Sequence, residues 1–137
     1  MNWITRNVAI GNYQEAQDVA LLRQEGFRAV LGLIPTLQGK TAAEVGVKRL
    51  EVVPLEDAPG SDPRLFRRAV DALVSLAEDE GPVFVHCHAG RSRSVVVVAG
   101  YLMKAQGLRA DEALTLVTAQ REAAITPGLE RLLYEME

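Results

Sequence analysis

One cysteine and one arginine are spaced in a way that could handle a phosphate ester. Five residues separate Cys87 from Arg93, and Ser94 follows directly, within the segment VFVHCHAGRSRS. Apolar residues before the cysteine predict a buried strand, and the residues after Arg93 predict a helix. The free N–H groups at a helix start and a planar guanidinium both favour an anion. The spacing therefore predicts an electropositive cup with Cys87 at its floor.

Such a cup would also activate the cysteine as a nucleophile. A thiol beside a helix N-terminus and cationic groups ionises more readily than a free thiol. A thiolate below a bound tetrahedral anion is the arrangement that covalent phosphoryl transfer needs. Loop N–H groups and Arg93 would stabilise the charge that develops on the equatorial oxygens.

This chemistry requires a proton donor for the leaving oxygen, and a loop over the strand ends could supply it. The segment PLEDAPG follows a predicted strand and precedes a helix. Asp57, which lies 30 residues before Cys87, is the first choice of donor. Glu56 and Asp62 are the alternatives, although Asp62 is better explained as the cap of the following helix.

The elements that must position these residues alternate between strands and helices. Strands are predicted at 8–10, 27–34, 48–55 and 83–85, and helices at 13–25, 63–80, 92–106, 109–122 and 127–136, with a polar loop at 35–43. Val95 to Val98 favour a strand locally, but burial of their side chains outweighs the small helix penalty. The pattern predicts an α/β fold in which helices flank a central, mostly parallel sheet of four to five strands.

Composition limits the classes of protein to which the chain can belong. Its 137 residues are 48% hydrophobic and 24% charged, which predicts a single globular domain over residues 1–137. A net charge of −3 argues against a nucleic-acid binder. The one cysteine excludes a disulfide framework and a multi-cysteine zinc site. The longest apolar run, Val95 to Met103, is too short for a membrane span, and no secretory signal is apparent, so we expect a cytoplasmic protein.

The segment HCHAGRSRS resembles the signature loop of cysteine-dependent protein tyrosine phosphatases, His-Cys-x5-Arg-Ser/Thr, and the compact dual-specificity branch is the nearest in size. NVAIGNYQEA resembles the opening strand and helix of that branch. VVPLEDAPGSD resembles its general-acid loop, with Asp57 in the aspartate position. Arg121 and the run ITPG resemble the segment before its last helix, where asparagine often stands in place of Gly128.

The resemblance implies a phosphotyrosine phosphatase-like fold and a two-step mechanism without a metal or other cofactor. Cys87 attacks phosphorus, and Asp57 protonates the leaving oxygen and then activates water. Ser94 assists the departing thiolate, and His86 orients the loop from behind. The implied phosphate-binding residues are His88, Ala89, Gly90, Arg91, Ser92 and Arg93.

Simpler interpretations remain open for several of these residues. Cys87 could be a small core residue, and the trio His86, Cys87 and His88 could be a metal cluster. The alternation of side chains along a strand argues against the cluster. Asp57 could be an ordinary solvated acid, and Ser94 a plain helix-start serine.

Four functions compete at this stage. The first is hydrolysis of phosphoproteins or small phosphoesters, mainly phosphotyrosine and also phosphoserine or phosphothreonine, with phosphate and vanadate as active-site anions. The second is a lipid or inositol-phosphate phosphatase of the phosphatidylglycerophosphate type, favoured by the basic residues His88 and Arg91. The third is a sulfurtransferase, which needs no aspartate donor. The fourth is a catalytically silent phosphate-binding module.

Overall fold

A five-stranded sheet forms the centre of the fold, and its middle strand leads into the cysteine. The computed structural model describes residues 1–137. The strands are β1 (Asn2–Trp3), β2 (Val8–Gly11), β3 (Ala29–Gly32), β4 (Arg49–Val52) and β5 (Val83–His86). Their order is β1-β2-β5-β3-β4, with β1 antiparallel to β2 and every other pair parallel. The prediction of a mostly parallel sheet is confirmed.

The register of the sheet places one edge beneath the predicted cup. His86, the last residue of β5, lies opposite Gly11 on β2 and Gly32 on β3. Three parallel strands therefore end together, and Cys87 leaves the sheet at the centre of its carboxyl edge. This edge is where α/β folds bring loop residues together.

Helices cover both faces of the sheet. In chain order they are α1 (Val19–Gln24), α2 (Ala42–Val45), α3 (Pro63–Asp79), α4 (Arg93–Gln106), α5 (Ala110–Gln120) and α6 (Arg131–Tyr134). The larger core cluster joins one face of the sheet to α3, α4, α5 and α6. A smaller cluster around Phe27 and Phe84 joins the other face to α1 and α2. None of the helices is both long and apolar enough to cross a membrane.

The helix that follows the signature segment forms despite its β-branched residues. All four valines from Val95 to Val98 are buried in α4. Burial of each side chain contributes roughly 1.5 kcal/mol or more, whereas the helix penalty of a valine is only a few tenths of a kcal/mol. Tertiary packing therefore decides the conformation of this segment, as expected from the sequence.

Four local predictions need correction. Residues 13–25 form a 3₁₀ turn (Glu15–Gln17) and then α1, because the Asp18 side chain caps α1 through the Leu21 N–H. The segment 35–43, predicted as a loop, contains a 3₁₀ turn and the start of α2, where Thr41 and Glu44 form a capping box. Strand β1 is absent from the predictions, and α6 is shorter than the predicted helix 127–136.

Candidate active site

The signature loop, defined here as residues 87–93, surrounds a cavity of about 310 Å³ at the carboxyl edge of the sheet. Cys87 lies at its base and is only 2% exposed. Arg93 is the first residue of α4, so the loop joins the end of β5 directly to a helix start. The cavity is lined by Asp57, Cys87, His88, Ala89, Arg91, Ser92, Arg93 and Ala124.

Six consecutive carbonyl groups of the loop, those of residues 87–92, all accept hydrogen bonds from the surrounding structure. Three of the donors are backbone groups: Tyr13 N–H to His88 (3.0 Å), Ala124 N–H to Arg91 (2.9 Å) and Val96 N–H to Ser92 (3.1 Å). The other three bonds come from two side chains, His86 and Arg121. The loop is thus held from β2, α4, α5 and their connections at once.

These outward carbonyls determine where the loop N–H groups point. In a planar trans peptide the carbonyl of one residue and the N–H of the next lie on opposite sides. The N–H groups of residues 88–93 therefore face the side on which Cys87 and the cavity lie. Such a ring of N–H donors at the start of a helix forms an anion-binding concavity.

Arg121 makes the two bonds at the apex of the loop. Its Nη2 donates to the Ala89 carbonyl at 3.1 Å and its Nε to the Gly90 carbonyl at 2.7 Å. The remaining nitrogen, Nη1, donates to the Ile10 carbonyl at 3.2 Å and to Oδ1 of Asn2 at 2.9 Å. Partial burial lowers the pKa of the Arg121 guanidinium, while the nearby charges of Glu15 and Cys87 act to raise it.

Gly90 allows this close approach. Its φ of +70° lies in the left-handed region, where a side chain is strained. A Cβ at this position would clash with the Gly11 carbonyl oxygen and would lie 2.7 Å from Nη2 of Arg121. Any larger residue would displace the apex of the loop.

His86 supports the loop from inside the sheet. Its side chain is fully buried, and Nδ1 lies 3.2 Å from the Cys87 carbonyl. A carbonyl only accepts, so Nδ1 carries the proton and Nε2, which has no partner, does not. Burial lowers the pKa of His86, and its hydrogen bond to Cys87 acts in the opposite direction. Burial therefore favours the neutral imidazole, and the bond to Cys87 selects the tautomer with its proton on Nδ1.

Arg93, the last residue of the loop, and Ser94, which follows it, each have a polar group without a partner. Nη1 of Arg93 donates to the Leu55 carbonyl at 3.2 Å, whereas its buried Nε has no partner. The Ser94 hydroxyl is buried and likewise makes no hydrogen bond. Arg93 lines the cavity, whereas Ser94 lies in the first turn of α4 and does not line it.

Asp57 is the carboxylate that reaches the cavity. Its side chain accepts a hydrogen bond of 2.6 Å from the Ser92 hydroxyl, which itself accepts from the Thr126 N–H at 3.0 Å. Glu56 does not line the cavity. Asp62 caps α3 by accepting from the Arg64 N–H at 2.9 Å, as predicted.

The two histidines of the signature segment lie in different environments. His86 is buried, but His88 is exposed and stacks on the Tyr13 ring with 4.6 Å between centroids. Arg91 is also exposed, and its guanidinium lies 3.9 Å from the Glu122 carboxylate. No group of three His, Cys, Asp or Glu side chains is arranged to hold a metal ion.

Two contacts of the site are missing from the sequence-based predictions. Ser92 is at the start of α4, where a serine usually caps the helix, yet its hydroxyl binds Asp57 instead. The contact of Arg121 with the loop joins residues 31 and 32 positions apart. The segment around Arg121 resembles the phosphatase family, and this resemblance is the one sequence signal for its importance. It does not specify that Arg121 binds the carbonyls of Ala89 and Gly90.

Comparisons with known proteins agree with this geometry. Residues 8–137 match the family model of the dual specificity phosphatase catalytic domain. The chain is 30% identical over 132 residues to protein-tyrosine-phosphatase IBR5 of Arabidopsis thaliana, which covers 93% of this chain and 47% of that protein. It is 40% identical over 77 residues to dual specificity protein phosphatase 1-A of Xenopus laevis, which covers 56% of this chain and 21% of that protein. The chain thus spans less than half the length of both curated relatives.

A solved structure extends the likeness to the whole chain. The crystal structure of a mouse putative dual specificity phosphatase complexed with zinc tungstate superposes with a TM-score of 0.86. The two sequences are 28% identical, and the superposition covers 99% of this chain and 85% of the mouse chain.

Proposed function

The chain belongs to the family of dual specificity phosphatase catalytic domains, and we propose on that basis that it hydrolyses phosphomonoesters of proteins through a cysteinyl-phosphate intermediate. Phosphotyrosine is the principal substrate, and phosphoserine and phosphothreonine are further substrates. The observation that carries the proposal is the set of six loop carbonyls bonded outward, which leaves six N–H groups facing the cavity above Cys87.

In the first step the thiolate of Cys87 attacks phosphorus. A sulfur–phosphorus bond forms as the phosphorus–oxygen bond to the leaving group breaks. Asp57, protonated at the start of this step, donates its proton to the leaving oxygen, since it is the acidic side chain that lines the cavity. Arg93 and the N–H groups of residues 88–93 hold the three remaining phosphoryl oxygens.

In the second step a water molecule attacks the cysteinyl-phosphate. Asp57, now ionised, accepts a proton from this water, and the phosphorus–sulfur bond breaks to release phosphate. The free hydroxyl of Ser94 donates a hydrogen bond to the departing thiolate. His86 keeps the Cys87 carbonyl turned outward throughout. The scheme uses no metal and no organic cofactor.

The alternative functions have less support. IBR5 and the Xenopus protein are both named as protein phosphatases, which does not favour a lipid or inositol-phosphate substrate. A sulfurtransferase reaction needs no aspartate proton donor, so it does not account for Asp57 at the cavity. A silent binding module would not need a nucleophile, an acid and an arginine in one place.

Several wider properties belong to the same proposal. Residues 1–137 act as one catalytic domain, and its location is cytoplasmic, where an unpaired cysteine is kept reduced. Phosphate and vanadate bind in the cup as substrate-like anions. The mouse phosphatase is complexed with zinc tungstate, and the tungstate anion is tetrahedral like phosphate. The net charge of −3 disfavours nucleic acid as a partner.

A substrate panel at fixed ionic strength tests the proposal. Peptides of one sequence carrying phosphotyrosine, phosphoserine or phosphothreonine are compared with a short-chain phosphatidylglycerophosphate and an inositol phosphate. We expect kcat/KM to be highest for phosphotyrosine, by about tenfold or more over the lipid. Cys87→Ser and Asp57→Ala are the controls for contaminating activity. Faster turnover of the lipid would overturn the protein-substrate proposal, and turnover by Cys87→Ser would remove the nucleophile assignment.

A further inference from the structure

Arg121 differs from every other group that holds the signature loop. Three of the six loop carbonyls are bonded by backbone N–H groups, and a fourth is bonded by its neighbour His86. The remaining two, at Ala89 and Gly90, both depend on one guanidinium that comes from the end of α5. The apex is thus the only part of the loop whose carbonyls are held by a side chain distant in sequence.

The fork of this guanidinium fixes two adjacent peptide groups. Because Nη2 holds the Ala89 carbonyl, the Gly90 N–H on the same peptide points to the opposite side. Because Nε holds the Gly90 carbonyl, the N–H of Arg91 is turned in the same way. Two of the six N–H groups that face the cavity are therefore aimed by Arg121.

The hydrogen bonds of the half-buried guanidinium reach only the loop and the first two strands. Its partners are the carbonyls of Ala89 and Gly90, the Ile10 carbonyl and Oδ1 of Asn2. The charged groups that act on it include Glu15, which is attractive, and Arg91, which is repulsive. Glu15 is already engaged by the Asn12 N–H at 2.9 Å. The fork of Arg121 is thus committed to the loop from the side opposite the cavity.

We propose that Arg121 is a positioning residue for the phosphoryl transfer inferred above: it aims the N–H groups of Gly90 and Arg91 at the phosphoryl oxygens. The inference rests on the proposed function, because it assigns a role in that reaction. Arg121 does not line the cavity, so it acts through the loop and not on the substrate.

A purely structural role for Arg121 has a different signature. Nη1 also ties the end of α5 to Ile10 and Asn2, and loss of this tie alone would lower stability without altering the loop. Asn2→Ala removes one of these structural bonds and keeps both loop bonds. It is therefore the matched control for any effect of Arg121 on the site.

Two substitutions separate the fork from the charge. Arg121→Lys keeps a positive charge but not the planar fork, whereas Arg121→Met removes both. For each variant we would measure vanadate inhibition of 4-nitrophenyl phosphate hydrolysis. Urea unfolding would verify that each variant is folded under the assay conditions.

We expect Arg121→Lys to weaken vanadate binding about tenfold, because the planar fork is lost. Arg121→Met should weaken vanadate binding about a hundredfold, because both the fork and the charge are lost. Asn2→Ala should leave vanadate binding unchanged. Folded Arg121 variants that bind vanadate like the wild type would overturn the proposal.

A measurement on the unaltered protein keeps the inference testable if the variants do not fold. Titration with inorganic phosphate, followed by the NMR shifts of backbone amides, should move the Gly90 and Arg91 signals strongly. If phosphate shifts the other amides of residues 88–93 but not these two, Arg121 does not aim binding groups. Failure of the proposed function gives a different result, since wild-type protein would then bind phosphate without hydrolysing the ester.

Discussion

The two loops that meet at the cavity are held in very different ways. In the signature loop, every carbonyl from residue 87 to residue 92 has a hydrogen-bond partner outside the cavity. The proposed general-acid loop, defined as residues 53–61, is bonded at its start through Val53 and Leu55 but has an exposed tip. The carboxylate at this tip reaches the site through one bond, from Ser92 to Asp57. The signature loop is thus held along its length, whereas the tip that carries Asp57 is joined to the site by a single hydrogen bond.

The difference corresponds to what each loop must do in the proposed reaction. Anion binding benefits from donors that are already aimed, because no reorganisation is then needed as charge develops. Proton transfer occurs twice in opposite directions, and the acid must make room for a leaving group and then for water. A weakly tethered carboxylate suits that task. Rigidity is therefore concentrated on the binding side of the site.

The largest effect should come from replacing the nucleophile, and it tests whether the signature loop is preformed. Cys87→Ser should lower kcat by about 10⁴-fold or more, since a neutral hydroxyl cannot replace the thiolate. Because the loop carbonyls are held without any help from sulfur, phosphate affinity should stay within about threefold of wild type. Calorimetric titration with phosphate measures it. Loss of phosphate binding in a folded variant would mean that the loop depends on its cysteine.

A smaller loss of kcat is expected when Asp57, the proposed general acid, is altered. This substitution tests the loop of residues 53–61. Asp57→Asn should reduce kcat about 10²- to 10⁴-fold for phenyl phosphate while leaving vanadate binding unchanged. The loss should shrink for 4-nitrophenyl phosphate, whose leaving group needs less protonation. Glu56→Gln, one position away and equally exposed, is the control and should retain wild-type rates. Equal losses for both esters would argue against general acid catalysis by Asp57.

Removing one hydroxyl group deletes the hydrogen bond that joins Asp57 to the site. Ser92→Ala deletes the 2.6 Å bond to Asp57 but leaves the Ser92 carbonyl bonded to Val96. We expect kcat to fall about 3- to 30-fold, because the acid spends less time at the site, with no change in vanadate affinity. Steady-state kinetics with vanadate as a competitive inhibitor measures kcat and vanadate affinity separately. If vanadate binding weakens as much as kcat falls, then Ser92 serves the anion site and the tether is unimportant.

The smallest expected effect is a change of the free energy of unfolding with pH, and it concerns only the signature loop. Burial lowers the pKa of His86, so the unfolded chain takes up a proton at a higher pH than the folded chain. The stability contributed by the neutral imidazole is therefore present above a pH of about 6.5 and is lost as the pH falls below it. Urea unfolding from pH 5 to 7 should show this decline in the wild type.

Two variants separate this effect from other titrations. His86→Asn keeps a donor for the Cys87 carbonyl but cannot titrate, so its stability should vary less over the same pH range. His88→Asn, which alters an exposed histidine, should keep the wild-type profile. Identical profiles for the wild type and His86→Asn would show that His86 is not the titrating group.

The sequence predicted the parts of the molecule in which local and tertiary preferences agree. Helix α3 is the clearest case, because Asp62, Pro63 and the apolar stripe of the helix all favour the same boundaries. The signature segment similarly contains its own strand end, turn and helix start. Asp57 was placed by its loop over the strand ends, and it lines the same cavity as Cys87.

Features formed by distant residues could not be predicted in this way. The two-residue strand β1 forms by pairing with the edge strand β2. Helix α2 has only four residues and begins with a capping box, so it shows almost no helical pattern in the sequence. The bonds from Arg121 to the loop and from Ser92 to Asp57 are set by the packed fold. Sequence spacing specifies which residues can do chemistry, but the orientation of peptide groups comes from tertiary contacts.

The place of Arg121 in the chain has a consequence for biosynthesis. All five strands and the signature loop precede residue 107, so a ribosome-bound chain could assemble the whole sheet before α5 emerges. The apex of the cup would then lack its guanidinium, and the link from Arg121 to Ile10 would also be missing. In the proposed reaction, the anion site would be complete only after residues 110–121 have docked on the loop.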